Sequence, residues 1–470
     1  MSEELGQGKQ NTARTLYKRG IFNRFLTEIS GINEMSASRG TALAIATLII
    51  FLIFPDVILG PGSLSMIDMS VAAGQPWPGQ STLHIEWPDR AAYHGFFDTG
   101  GTIYQSEPAQ QFMKYVIRSG ESPYWNPYSA TGAFGPETLV DSKFSPFSVC
   151  VALLGGGSTA YHVVLLGFFI YAVYCLLRLV TTHLKLSLMA AIVSAIVFML
   201  NGFAIANISS NISQSYFLFP ILLNALLAFA VAPGIVRFVA AVLANVLVLA
   251  VTFMPTTLLS LCSVYAVVIA FALGRQIDFG FRTVRQVSNW LAVCILTVFT
   301  SFTALMLLAF LYFPIAEVLL LTEEAYEFGT RVVHPANVNS LLSLFSSKHF
   351  WESYNTMDGR LWDPNTPAYV GNVVFHLGIS GSIIAAHAFR RSSAMQVSVV
   401  AILAGLFCIS LGRIFGVPGI FQFVDSLPFF SSLGVQYIAS VTAIAFTLLC
   451  AFGFDALRSG SKDYILASIV

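Results

Sequence analysis

Ten apolar runs, each long enough to span a bilayer, are separated by turns that alternate between short basic segments and longer acidic ones. No other feature constrains the fold as strongly. The runs fall at about 41–59, 158–181, 187–205, 215–232, 236–253, 256–273, 289–318, 372–388, 395–411 and 435–455. A span needs about 20 predominantly apolar residues, and in lipid only a helix of this kind satisfies its own backbone. The expected fold is an all-α integral membrane protein of about ten transmembrane helices. Composition agrees: 56% of residues are hydrophobic and 10% charged, against roughly 25% charged in a soluble domain.

The charge pattern orients the chain. With the N-terminus in the cytoplasm, Arg178/Lys185, Arg237, Arg275/Arg282/Arg285, Arg390/Arg391 and Arg458/Lys462 fall in successive inner turns, and 16 of the 24 basic residues lie inside. That is the positive-inside distribution. Fifteen of the 24 acids fall in the segments left outside. The expected organisation is a cytoplasmic tail (1–40), a first span (41–59), an extracytoplasmic segment (60–157), six spans (158–318), a second outer segment (319–371), three spans (372–457) enclosing an outer loop (412–434), and a cytoplasmic tail or the start of a truncated further span (458–470). The first run follows forty polar, basic residues, too many for the n-region of a signal peptide, and is read as a retained anchor. The overlong run at 289–318 carries Pro314 and Glu317, so a tilt or break is expected there.

The outer segments are long and rich in aromatics, with Trp77, Trp87, Trp125, Trp351 and Trp362, so they are expected to fold against the membrane surface. In the first, "SEPAQQFMKYVIRSG" predicts an amphipathic helix with Phe112, Tyr115 and Val116 on one face, Pro108 in its first turn and Gly120 as its stop. The apolar "FSVCVALLGGGS" is too short to cross and is expected to be interfacial or re-entrant. The six cysteines lie in apolar runs with no ligand spacing and are expected to be small buried hydrophobes.

Nucleotide-binding, metalloprotease and serine-hydrolase signatures are missing, and the eight histidines are scattered. No metal, no cofactor and no nucleic-acid partner are expected. The residues that remain for chemistry are outer acids beside aromatics. Asp98 sits in "HGFFDTGG", and Glu137 and Asp141 bracket "ETLVD" at a spacing that places both on one face of a helical turn. A carboxylate at the mouth of a helical bundle serves as general base toward a sugar or lipid hydroxyl; a solvated or capping acid is the structural alternative. Lys143, Arg331, Lys348, Arg360 and Arg413 are outer cations suited to a lipid phosphate, or alternatively to loop salt bridges and headgroup contacts. Tyr124, Trp125, Asn126 and Tyr128 are candidates to contact a sugar or the entry of a lipid tail, or to anchor the loop at the interface.

"QSEPAQQFMKYVIRSGESPYWNPYSATGAFGPETLVDSKFSPFSV" resembles the first outer loop of the bacterial YfhO-like membrane proteins. Later pieces agree in order: "FMLNGFAIANISSNISQSYFLFPILLNALLAF", "PAYVGNVVFHLGISG" and "LPFFSSLGVQYIASVTAIAFTLLCAFGFDAL". The resemblance runs from about 94 to 457. It implies a GT-C-type glycosyltransferase-like fold in a bacterial cytoplasmic membrane. It also implies a polyprenyl-phosphate sugar donor, an envelope glycan or lipid acceptor, and an acid of the first outer loop as base. Asp98 leads for that role, with Asp141 or Glu137 second. Gly101 stands where the family has its early acid, and Leu433-Gly434 where it tends to carry an arginine. Two other classes remain open: a transporter or flippase of a lipid-linked saccharide, and a non-catalytic component of an envelope-assembly complex. A transporter calls for ionisable residues within the spans or for paired repeats, whereas the span interiors hold Asn201, Asn224 and little charge.

Overall fold

A computed structural model describes residues 38–60, 62–65, 107–126, 133–134, 142–208, 210–279, 284–314, 393–427, 430, 433 and 435–458. The described residues are almost wholly helical. In chain order they form α1 (Arg39–Ile53), α2 (Pro55–Leu59), α3 (Glu107–Ser119), a two-residue antiparallel pair β1 (Trp125–Asn126) and β2 (Ala133–Phe134), then α4 (Pro146–Leu153) and α5 (Ser158–Arg178), which runs on into a π turn at Leu179–His183. They continue as α6 (Leu188–Leu200), α7 (Gly202–Ala206), α8 (Asn211–Val231), α9 (Ile235–Leu249), α10 (Met254–Phe279), α11 (Val284–Leu307), α12 (Ala394–Ile414), α13 (Ile420–Asp425) and α14 (Val435–Arg458).

Five stretches are long and apolar enough to cross a membrane: Ser158–His183, Asn211–Val231, Met254–Asp278, Ala394–Ile414 and Tyr437–Ala456. Arg39–Ile53, Leu188–Leu200 and Ile235–Leu249 are apolar but shorter, and Cys294–Leu307 is an apolar stretch within α11. Nine of the ten expected runs thus contain an apolar helix, and 372–388 lies outside the described residues. The shortfall in length has local causes. Phe54-Pro55 ends α1 before the apolar run is finished, because Pro55 starts a separate short helix. The run at 187–205 divides at Asn201, which leaves helical backbone and caps α7 by accepting from the Ala204 N–H. In the 289–318 run a turn at Leu308 follows α11, and 315–318, where Glu317 falls, lies outside the described residues.

One apolar core joins α1, α5, α6, α8, α10, α12 and α14. α14 is the most enclosed of these: Ile444, Ala445, Phe446, Leu448, Leu449 and Cys450 are all buried. α9 and α11 share a smaller cluster at Val242, Leu249, Ala250, Ala304 and Leu308. Their other faces expose Ile235, Val236, Leu243, Ile295, Phe299 and Phe302, a surface too apolar for water and suited to lipid. The cysteines correct one expectation. Cys175 and Cys450 are buried, but Cys262 and Cys408 are exposed, on helix faces whose apolar character suits a lipid-facing thiol as well as a core one.

Contacts define two ends of the bundle. At one, Asp278 accepts from the Ala394 and Met395 N–H groups, Asp455 from the Ser187 N–H, and the Gln396 amide donates to Leu184 O. The turns here are short, and Arg178, Lys185, Arg237, Arg275 and Arg458 sit at the helix termini on this side. At the other end α3 packs on α4 and α4 on α5. Phe253 meets Tyr437 edge-on at 5.3 Å, and Tyr312 donates to Leu249 O. The candidate site residues that the structure describes all lie at this second, loop-bearing end.

Candidate functional site

The predicted amphipathic helix forms as α3. Pro108 stands in its first turn, and Gly120 follows its last residue at φ 71, a left-handed conformation that glycine adopts without strain. The buried face comprises Ala109, Gln110, Phe112, Met113 and Val116, with Tyr115 half-buried at its edge. α4 begins at Pro146, where Ser145 accepts from the Ser148 N–H. It ends before Gly155, Gly156 and Gly157, all at positive φ, so the chain turns back at the surface and enters α5.

Segment 62–65 is strapped across the same place. Ser65 Oγ donates to Glu107 Oε2 at 2.8 Å, and both residues are buried. Ser63 Oγ lies 3.1 Å from His162 Nε2, and the Leu64 N–H donates to that nitrogen at 2.9 Å. Accepting from a backbone N–H requires the Nε2 lone pair, so His162 is neutral with its proton on Nδ1. Glu107, Ser65, Ser63 and His162 therefore form a line of polar groups at the head of α5. Glu107 and His162 were not candidates from sequence. Nothing in the spacing of residues 65, 107 and 162 announces that they converge.

Lys143 is buried at 3% exposure, with Nζ 5.8 Å from the Phe112 ring centroid and 5.6 Å from that of Phe144. A cation over aromatic faces away from water is held by the ring quadrupoles. Tyr124 packs against Phe144 at 5.6 Å, and its hydroxyl donates to Phe310 O at 2.9 Å, so the loop is tied to the helical turn that follows α11. Burial pushes the Tyr124 phenol above its ordinary pKa. Trp125 pairs with Phe134 and Asn126 with Ala133 in the short ladder. Trp125 is 46% exposed, the disposition of an interfacial side chain.

Arg413 stands apart, in the last turn of α12, and is fully buried. Its Nε is 2.7 Å from Asp425 Oδ1, the distance of a charge-assisted contact. Nη1 and Nη2 make no hydrogen bond among the described residues. The guanidinium carbon lies 4.2 Å from the centroid of the Phe421 ring.

Of the sequence-predicted residues, the structure gathers Tyr124, Trp125, Asn126 and Lys143 into the layer around α3 and α4, and places Arg413 at the end of α12. Asp98, Glu137, Asp141, Tyr128, Arg331, Lys348 and Arg360 lie outside the described residues. An apolar groove of ≈ 490 Å³ opens beside α4 and is lined by Leu153, Leu154, Val163, Gly167, Phe168 and Tyr171 among others. Among the described residues, no cluster of three metal-ligating side chains occurs.

No family model and no curated protein matches the chain. Among solved structures it is similar to the Archaeoglobus fulgidus oligosaccharyltransferase in its apo form, at 13% identity and TM-score 0.39. The alignment covers 88% of this chain and 50% of that one, so this chain spans half the length of the archaeal enzyme. A likeness of that order assigns neither fold nor function.

Proposed function

We propose that this chain is a membrane glycosyltransferase. It would move a sugar from a polyprenyl-phosphate donor to an envelope lipid or polymer at the extracytoplasmic face. The observation that carries the reading is Arg413: a fully buried guanidinium at the loop-bearing end, with two nitrogens unpaired among the described residues. A buried charge demands compensation, and a guanidinium edge matches the oxygens of a phosphate. Lys143, also buried, is a second cation at the same end. The apolar groove beside α4 offers a seat for the polyprenyl tail at membrane depth.

In the reaction, an acid of the first loop takes the proton of the acceptor hydroxyl as its oxygen bonds to the anomeric carbon. The bond from that carbon to the phosphate oxygen breaks, and the polyprenyl phosphate leaves with its charge held by cations. Asp98 is assigned as the base, with Asp141 or Glu137 as the second choice. Charged side chains of the described apolar helices stand at helix ends, at Arg39, Arg178, Arg237, Arg275, Asp278, Arg413, Asp455 and Arg458. That favours an enzyme over a transporter driven by an ion gradient, which carries its charges at mid-membrane. The test is a lipid and envelope-glycan profile of a strain lacking the protein, complemented with wild type, Asp98→Asn or Asp141→Asn. Loss of one glycan modification, restored by wild type and not by one of the variants, is expected. Full restoration by both variants removes the base assignment. A lipid-linked intermediate stranded on the cytoplasmic side identifies a flippase instead.

A further inference from the structure

Everything among the described residues that engages the Arg413 guanidinium comes from α13. Asp425 supplies the ion contact and Phe421 the ring. α13 is a six-residue helix joined to α12 by the connector 415–419. Gly416 and Gly419 near and at its ends take φ 64 and φ 84, left-handed values that glycine reaches at no steric cost. Beside these contacts α13 also packs closely on Gly412 of α12. A Cβ built on Gly412 would lie 2.8 Å from Ile420 Cγ2 and Cδ1. The opposite face of α13 is open, with Phe423 60% exposed. Asp425 is itself 26% exposed while Arg413 is at 0%, so the carboxylate stands between water and the guanidinium.

α10 carries three buried hydroxyls near the level of this contact. α10 and α12 are antiparallel, pinned where Gly274 meets Ala394 and Met395. Counting from Gly274 and Met395, Thr256 and Arg413 are each eighteen residues along, which sets them at the same level at 1.5 Å per residue. Thr256, Thr257 and Ser260 are buried, and their hydroxyls make no hydrogen bond among the described residues. A buried guanidinium with Nη1 and Nη2 unused is a poor way to stabilise a fold, because its desolvation is set against a single contact at Nε. It is a good way to hold a binding group until its ligand arrives.

We propose that α13 is a latch and that Asp425 occupies the place of a phosphate ester on Arg413. On binding, the phosphate oxygens take the Nη1 and Nη2 edge, the Asp425 carboxylate swings into water, and α13 turns out about Gly416 and Gly419. The choice of phosphate rests on the glycosyltransferase reading, whereas the exchange rests on the geometry alone.

The test uses the full chain in phosphatidylcholine nanodiscs, with two probes, undecaprenyl phosphate and inorganic phosphate. Hydrogen exchange over 417–427 is measured with each, together with the affinity for each. Wild type is expected to exchange faster over this segment when the probe is added. Asp425→Asn and Gly412→Ala, which weaken the latch electrically and sterically, should exchange faster without any probe. They should also bind the probe about three- to tenfold tighter, since less of the protein is held closed. Arg413→Lys, which keeps the charge and the fold, should bind weakly, and Arg413→Gln should not respond. A response to the lipid alone identifies a headgroup, and a response to both identifies any phosphate. If neither probe changes the exchange, or if Asp425→Asn weakens binding as Arg413→Lys does, the pair is a structural lock and the proposal is wrong. A working latch in a protein that transfers no sugar would remove the glycosyltransferase reading and leave the latch. Sugar transfer with a silent segment would do the reverse.

Discussion

Ser65 Oγ donates to Glu107 Oε2 across 2.8 Å and joins residues 42 apart in the chain. The bond fastens the end of the strap that follows α2 to the first turn of α3, and so closes the base of the segment that carries Asp98. Both residues are buried, which makes the bond strong to keep and costly to leave half-made.

Ser65→Ala removes the donor and leaves a buried carboxylate with one partner fewer, at a cost of about 1–3 kcal/mol. Glu107→Ala is expected to cost more, because Glu107 makes further interactions beyond this bond. Thermal unfolding in detergent measures both. Limited proteolysis should show faster cleavage between 66 and 106 in Ser65→Ala than in wild type. Unchanged cleavage would mean that the bond does not govern that segment.

Asn201 is fully buried and works in both directions. Its oxygen caps α7, while Nδ2 donates to Val197 O, Phe198 O and the Tyr216 hydroxyl. Asn201→Asp keeps the cap but turns a carboxylate oxygen toward three acceptors. It is expected to be more destabilising at neutral pH than Asn201→Ala. Unfolding curves of the two variants decide it.

Asn201 also marks the boundary of what hydropathy reveals. The apolar signal runs across 187–205, and the helix stops where Asn201 caps α7 through the Ala204 N–H while its amide also meets Tyr216 from α8. α3 was legible because its evidence is local: a proline, a periodic face and a terminal glycine. Arg413 was legible as a cation in a loop but not as a buried one. Its burial depends on α13 folding back over it, a tertiary event with no local trace. The chosen bases Asp98, Asp141 and Glu137 lie outside the described residues, so their standing rests on sequence.

Within the bundle, Asn245 on α9, Tyr265 on α10 and Thr300 and Ser301 on α11 are knotted together. Asn245 Nδ2 donates to Thr300 Oγ1 at 3.1 Å, Ser301 Oγ donates to Asn245 Oδ1 at 2.8 Å, and the Tyr265 hydroxyl contacts Ser301 Oγ and donates to Thr297 O. Polar contacts between membrane helices contribute about 0.6 to 2 kcal/mol each. Tyr265→Phe and Asn245→Ala should each destabilise by that order. Because they share Ser301, the double variant should lose about 0.5 kcal/mol or more less than the sum. A double-mutant cycle by steric-trap or detergent unfolding measures this, and strict additivity would show that the knot does not act as one unit.

Gly274 is where α10 and α12 come closest. A Cβ there would lie 2.5 Å from Met395 Cα and 2.6 Å from Ala394 O, atoms of backbone that no side-chain rotation can clear. The helices must part, and parting them also pulls Asp278 from the Ala394 and Met395 N–H groups that it caps at 2.6 and 3.1 Å. Gly274→Ala should therefore cost about 1–3 kcal/mol as an overpacked contact, with about 0.5–2 kcal/mol more for the cap. Asp278→Ala alone loses only the second part. If Gly274→Ala is no worse than Asp278→Ala in thermal unfolding, the helices separate without strain and the close approach is not a constraint. If it is worse and Asp278→Ala adds nothing to it in the double variant, the cap is already broken by the methyl group, as the shared geometry requires.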